Sequence, residues 1–108
     1  MTDRTLRQAT LDDIIRRVVE IAEPERIILF GSAARGEMNR HSDVDLLVVK
    51  DGADLRRLTA RIYRRLYGVG AAVDIVMVTP QDVERYRDSH ALVIKPALRE
   101  GTVMYESS

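Results

Sequence analysis

Leu11, Ile14, Ile15, Val18, Val19 and Ala22 recur at three- and four-residue intervals, the period of a helix with one buried face. Thr10 stands before the first of them and Asp13 follows three residues on. The pair predicts a capping box at the helix start, with aspartate in place of glutamate. Pro24 ends the segment. The period then changes. "RIILF" (26–30) is short, β-rich and continuously apolar, as a buried strand is, and Gly31 breaks it. "SAARGE" has room for only one or two helical turns, with Ser32 at or near their start. "SDVDLLVVK" (42–50) predicts a second strand. In "ADLRRLTARIYRRLYG", Leu55, Leu58, Ile62 and Leu66 form the apolar stripe of a second long helix, with Gly68 as its C-cap. "AAVDIVMV" (71–78) predicts a third strand. Thr79-Pro80 reads as a cap followed by a first helical residue. "ALVIKPALREG" reads as helical, kinked or restarted at Pro96 and stopped at Gly101, and "TVMYE" as a terminal edge strand. Helices and strands alternate, so the expected class is α/β (α+β): a small sheet with helices packed against it, in a single domain over 1–108.

Two charged positions interrupt this apolar pattern. Side chains alternate along a strand, so Asp43 and Asp45 share one face, with Cα atoms about 6.5–7 Å apart. Val44 and Leu46 face the other way, into the core. Adjacent carboxylates repel unless something positive lies between them. A divalent cation does this, and oxygen ligands favour Mg²⁺ or Mn²⁺ over zinc. A third carboxylate, Asp74, interrupts the next strand in "VDIV". If the two strands are neighbours, three carboxylates converge, which suits a two-metal site for phosphoryl or nucleotidyl transfer. Gly31-Ser32 lies between a strand and a short helix, where backbone N–H groups and the Ser32 hydroxyl can hold phosphate oxygens. Gly31 permits close approach of a ligand, and Arg35 adds a cation for a triphosphate. Each feature alone has an ordinary explanation as a turn, a surface strand or a strand edge. Their order and spacing together favour a nucleotide site.

Composition narrows the classes further. The chain has 108 residues, 45% of them apolar and 31% charged, enough for one core. Seventeen basic and seventeen acidic residues cancel, so no global field points to direct nucleic-acid binding. Cysteine is absent, which excludes disulfides and thiolate metal sites. No apolar run is long enough to span a bilayer and the N-terminus lacks the apolar segment of a signal peptide, so a cytoplasmic location is expected. One helix carries Arg56, Arg57, Arg61, Arg64 and Arg65. A solvated face is the ordinary reading of that run; a contact for an acidic partner or RNA is the functional one. His41 reads as a loop residue, His90 as a helix-start residue, and Tyr63, Tyr67, Tyr86 and Tyr105 as too scattered for a stacking platform. Tyr105 is expected to pack the terminal strand on the core.

Gly31-Ser32, ten residues, then Asp43-Val44-Asp45 resembles the G-S-x10-D-x-D motif of the DNA polymerase beta-like nucleotidyltransferase superfamily. The longer string "FGSAARGEMNRHSDVDLLVV" is similar to the minimal nucleotidyltransferases, stand-alone domains often paired as antitoxins with HEPN-domain ribonuclease toxins. The resemblance runs from the first helix to "GTVMYE". It implies a small mixed β-sheet flanked by helices, Mg²⁺ held by Asp43 and Asp45, and Asp74 as third ligand or general base. It also implies nucleotide phosphates at Gly31 and Ser32, with Arg35 and Ser42 in support. The implied reaction is transfer of AMP from ATP to a tyrosine of the cognate HEPN toxin, which silences it. Two alternatives stay open: an antitoxin that neutralises by complex formation alone, and a nucleotidyltransferase acting on a small molecule such as an antibiotic.

Overall fold

The computed structural model of the chain describes residues 3–31, 44–52, 54–86, 99 and 101–107. Among them, helix α1 (Asp3–Ala22) leads into strand β1 (Arg26–Phe30), and β2 (Val44–Val49) follows. Helix α2 (Leu55–Arg65), β3 (Val73–Val78), α3 (Pro80–Tyr86) and β4 (Thr102–Glu106) complete the order. The strands form one sheet in the order β3-β2-β1-β4. β1 is antiparallel to both β2 and β4, whereas β2 and β3 are parallel. The sheet is therefore mixed, as expected. A parallel pair needs a crossover, and α2 is that crossover. The expected helix over 91–101 lies outside the described residues except for Arg99, which is helical, and Gly101. The short turns of "SAARGE" lie outside them entirely.

Alternation along the strands divides the apolar residues between two layers. Ile27, Leu29, Val44, Leu46 and Val48 pack with Leu11, Ile14, Val18 and Ala22 of α1 and with Ile62 and Leu66 near the end of α2. Tyr105 of β4 packs against this layer, as the sequence predicts. On the opposite face Ile28, Leu47, Val49 and Val78 meet Val83 of α3. β2 is thus apolar on both faces, and the continuous run "LLVV" is the signature of such a central strand.

The structure corrects the start of α1. The helix opens at Asp3, so Thr10 is an interior residue and the Thr10–Asp13 capping box does not form. Residues 4–9 include arginine, leucine, glutamine and alanine, all strong helix formers that extend the helix beyond its buried stripe. Asp13 instead binds Arg16 and, at 3.2 Å, Arg17. Burial pushes the Asp13 carboxyl up, but hydrogen bonds from Arg17 and Arg16 outweigh it and hold the group below the usual carboxylate range. A reciprocal capping box closes the start of α3. The Asp82 N–H donates to Thr79 Oγ1 at 3.0 Å and the Thr79 N–H donates to Asp82 Oδ2 at 3.1 Å. At the end of α2 the C-cap is Leu66, and Gly68 follows two residues later with φ +81°.

Two stability predictions follow from these contacts. Thr79→Ala, which removes one half of the α3 capping box, lowers unfolding free energy by about 1 kcal/mol in urea denaturation. The depressed pKa of Asp13 contributes stability that is complete above its unfolded value of 3.8 and is lost as pH falls through the lower folded value. Asp13→Asn is therefore less stable than the parent at neutral pH, and the two denaturation midpoints converge in a titration below pH 3.8.

Candidate active site

The parallel register pairs Asp45 of β2 with Asp74 of β3. Neighbouring strands lie about 4.8 Å apart, and paired residues present their side chains to the same face. The same register places Phe30 of β1 opposite Asp45 on the other side. A row Phe30–Asp45–Asp74 therefore crosses three strands, and the next row on that face is Ile28–Leu47–Val76. The second apolar layer ends where the carboxylates begin. Asp45 is half-buried at this margin and Asp74 is exposed. The exposure of Asp74 removes the desolvation cost that a position inside an apolar strand implies, because β3 starts at Val73 and lies at the sheet edge.

Gly31 follows the last residue of β1 and sits against the Asp45 carboxylate. A Cβ placed at Gly31 would come within 2.5 Å of Asp45 Oδ2 and 3.4 Å of Asp45 Cγ. Its φ of +78° lies in the left-handed region that side chains disfavour. The turn out of β1 favours glycine here, and the Asp45 carboxylate occupies the space a side chain would enter, so any side chain at this position would make the carboxylate swing aside. The sequence pointed to Gly31 for ligand approach, and the structure adds the carboxylate as its neighbour.

Gly31, Asp45 and Asp74 are the predicted site residues that the structure brings together. Asp43, Ser32, Arg35 and Ser42 lie outside the described residues. Asp43 directly precedes β2, two residues from Asp45. Among the described residues no group of three or more His, Cys, Asp or Glu side chains is arranged to hold a metal ion. Asp45 and Asp74 offer carboxylate oxygens only, a donor pair suited to a hard cation such as Mg²⁺.

Tyr63 is a residue whose place the sequence did not reveal. The Ile75 N–H donates to its hydroxyl at 2.8 Å, one residue beyond Asp74. β3 is an edge strand, so this bond satisfies an outward N–H and ties α2 to the strand that carries the carboxylate. The available signal was the position of Tyr63 beside Ile62, at the border of the apolar stripe of α2.

The class is that of the nucleotidyltransferases, whose fold this mixed sheet and its helices resemble. The chain belongs to that family: residues 11–103 match the nucleotidyltransferase domain. It is 38% identical over 63 residues to MJ1305 of Methanocaldococcus jannaschii, which is provisionally named a protein adenylyltransferase. That match covers 53% of this chain and 43% of the relative, so the chain spans less than half the length of that protein. The fold is similar to a toxin-antitoxin crystal structure with AMP-PNP, with a TM-score of 0.62, 20% identity, and coverage of 89% of this chain and 73% of the other. It is likewise similar to a mutant of the MntA-HpeT toxin-antitoxin, with a TM-score of 0.63, 17% identity, and coverage of 90% and 73%.

The contact of Gly31 with Asp45 is testable by a double-mutant cycle. Gly31→Ala destabilises the parent by about 1–2 kcal/mol through backbone strain, with a smaller part from displacing the Asp45 carboxylate. In an Asp45→Ala background the clash is absent and only the backbone part remains, so the two substitutions are non-additive in chemical denaturation. Equal costs in both backgrounds would show that displacing the carboxylate carries no penalty and that the two positions are not coupled by packing.

Proposed function

We propose that this chain is a Mg²⁺-dependent nucleotidyltransferase that moves AMP from ATP to a tyrosine hydroxyl of a HEPN-domain toxin, acting in the cytoplasm as the antitoxin of the pair. The observation that carries the reading is the Asp45–Asp74 pairing across parallel strands, with Gly31 beneath Asp45. Family membership supports the transfer of a nucleotidyl group. The relative named as a protein adenylyltransferase supports a protein acceptor, and the toxin-antitoxin neighbours support a toxin as that acceptor.

In this reading Asp43, Asp45 and Asp74 are the ligands of Mg²⁺, which when bound neutralises the phosphates and stabilises the departing pyrophosphate. Gly31 and Ser32 hold phosphate oxygens through backbone N–H groups and a hydroxyl, and Arg35 and Ser42 support them. The tyrosine oxygen attacks the α-phosphorus of ATP. Its bond to that phosphorus forms as the bond to the β-phosphate bridging oxygen breaks, and pyrophosphate leaves. The tyrosyl proton passes to the Asp74 carboxylate, which is exposed and so accessible to an incoming acceptor.

The test is incubation of the chain with labelled ATP, Mg²⁺ and a HEPN-domain protein, followed by mass spectrometry. A mass gain of one or more AMP units on a tyrosine is expected. Asp74→Asn should lower the rate about 10²–10⁴-fold, as loss of a general base does. Undiminished transfer by Asp45→Asn and Asp74→Asn would overturn the assignment. Toxin neutralisation that survives both substitutions in full would instead favour an antitoxin acting by complex formation.

A further inference from the structure

β3 is an edge strand, and Asp74 is its second residue. The chain reaches it from α2 through residues 66–72, which include Gly68 at φ +81° and Gly70 at φ +91°. A carboxylate at the start of an edge strand, after a glycine-bearing loop, lies where a sheet frays most readily. β2 holds one side of β3. The Val44 N–H donates to the Ala72 carbonyl at 2.8 Å and the Lys50 N–H to the Val78 carbonyl at 2.9 Å, at the two ends of the parallel ladder. Backbone groups alternate sides along a strand, so the Asp74 carbonyl faces β2, as those of Ala72 and Val78 do, and the Ile75 N–H faces outward.

That outward N–H belongs to the peptide unit that joins Asp74 to Ile75, and it donates to the Tyr63 hydroxyl at 2.8 Å. The unit is trans and planar, so its carbonyl is turned to β2 while its N–H is held by Tyr63. Only ψ separates that unit from the Asp74 Cα, so fixing the unit limits the directions open to the carboxylate. Tyr63 is itself firmly based. Ile62, beside it, is fully buried. Arg17 of α1 donates to the Arg65 carbonyl at 2.9 Å, and Arg65 pairs with Glu20 of α1 at 2.8 Å, so the last turn of α2 is tied to α1. The Ile75 side chain packs in the layer beneath α1 and α2, and Asp74 points to the other face. Tyr63 therefore acts on Asp74 through the backbone and touches no reacting atom.

We infer that Tyr63 is a positioning residue for nucleotidyl transfer: its hydroxyl fixes the peptide after Asp74 and so holds that carboxylate opposite Asp45. This rests on the role proposed for Asp74 in transfer. A purely structural edge cap is the competing account, and magnitudes separate the two. The bond is exposed and Tyr63 is 42% exposed, so water replaces the hydroxyl at little net cost to stability. Water does not fix the direction of the N–H, whereas a phenol on an anchored helix does. Transfer is sensitive to small misplacement of a metal ligand or base. Loss of the hydroxyl therefore acts on kcat far more than on the folded population. The phosphate contacts proposed at Gly31 and Ser32 are untouched by it.

The experiment compares the parent with Tyr63→Phe, which removes only the hydroxyl, and with Thr79→Ala, a stability control beyond the other end of β3. Exchange of the Ile75 amide, read by NMR, should quicken about tenfold in Tyr63→Phe while Leu47 and Val48 of β2 change little. Mn²⁺ binding is followed by loss of the free-ion electron paramagnetic resonance signal, with Asp74→Asn marking the binding that needs the carboxylate. Tyr63→Phe should weaken that binding about threefold or more, and Thr79→Ala should leave it unchanged. With a HEPN-domain protein as acceptor and saturating Mg²⁺, kcat should fall about tenfold in Tyr63→Phe at unchanged KM for ATP, and hold in Thr79→Ala. Unchanged Ile75 exchange in Tyr63→Phe would overturn the positioning role. A kcat equal to the parent's would also overturn it and leave the proposed chemistry standing. Equal losses of kcat in Thr79→Ala would reduce Tyr63 to a structural contact. Tyr63-dependent exchange and Mn²⁺ binding with no AMP transfer to a protein acceptor would uphold the positioning role and reject the proposed transfer.

Discussion

Two like charges stand side by side at the Asp45–Asp74 pair, and the rest of the fold holds them there. In water-like surroundings two carboxylates about 5 Å apart repel by about 1 kcal/mol, and more where the dielectric falls. Cross-strand pairs of like charge weaken a sheet. The register cannot slip to relieve this. A one-residue shift would turn Leu46, Val48, Ile75 and Met77 away from α1 and α2 and bring the charges beneath those helices. The apolar layer thus fixes the carboxylates in opposition. A small electrostatic cost at the sheet margin is carried by a much larger burial energy in its interior.

The same constraint explains the local backbone. Asp45 is half-buried, so its carboxylate needs space that the neighbouring strand end must leave. Gly31 leaves it by having no Cβ, and its left-handed φ turns the chain away from β1 where Asp45 faces β1. The Gly31 and Asp45 positions of the motif are therefore coupled by packing as well as by any shared ligand.

Much of this was legible in the sequence because strands and helices here follow their apolar periods closely. β1 coincides with "RIILF", and β2 and β3 fall within the segments read for them. The pairing of Asp45 with Asp74 was conditional on two strands being neighbours, which the crossover through α2 satisfies. The N-terminus of α1 was misread because a capping signal and a mid-helix charge pair use the same residue types at the same spacing. Thr10 and Asp13 fit either, and the helix formers before them decide the outcome. The exposure of Asp74 depends on strand order, which no local pattern encodes. So does the role of Tyr63, whose hydroxyl finds its partner on a strand twelve residues away.

The parallel strand pair has a further consequence for how the carboxylates and the helix layer are arranged. Two parallel strands must be joined across their full length, so the crossover helix begins at the far end of the sheet and finishes beside the carboxylates. One face of α2 is committed to the core through Leu58, Ile62 and Leu66. Its opposite face points to solvent on the side of the sheet away from the carboxylates. Arg64 and Arg65 in the last turn also complement the negative end of the helix dipole, so basic residues are favoured for local reasons as well. That local preference accounts for the last turn. It does not account for Arg56 and Arg57, which lie in the first turn, where the dipole favours acids. Their placement runs against helix electrostatics, and the Asp54 carboxylate that caps the same end supplies the negative group the dipole favours there.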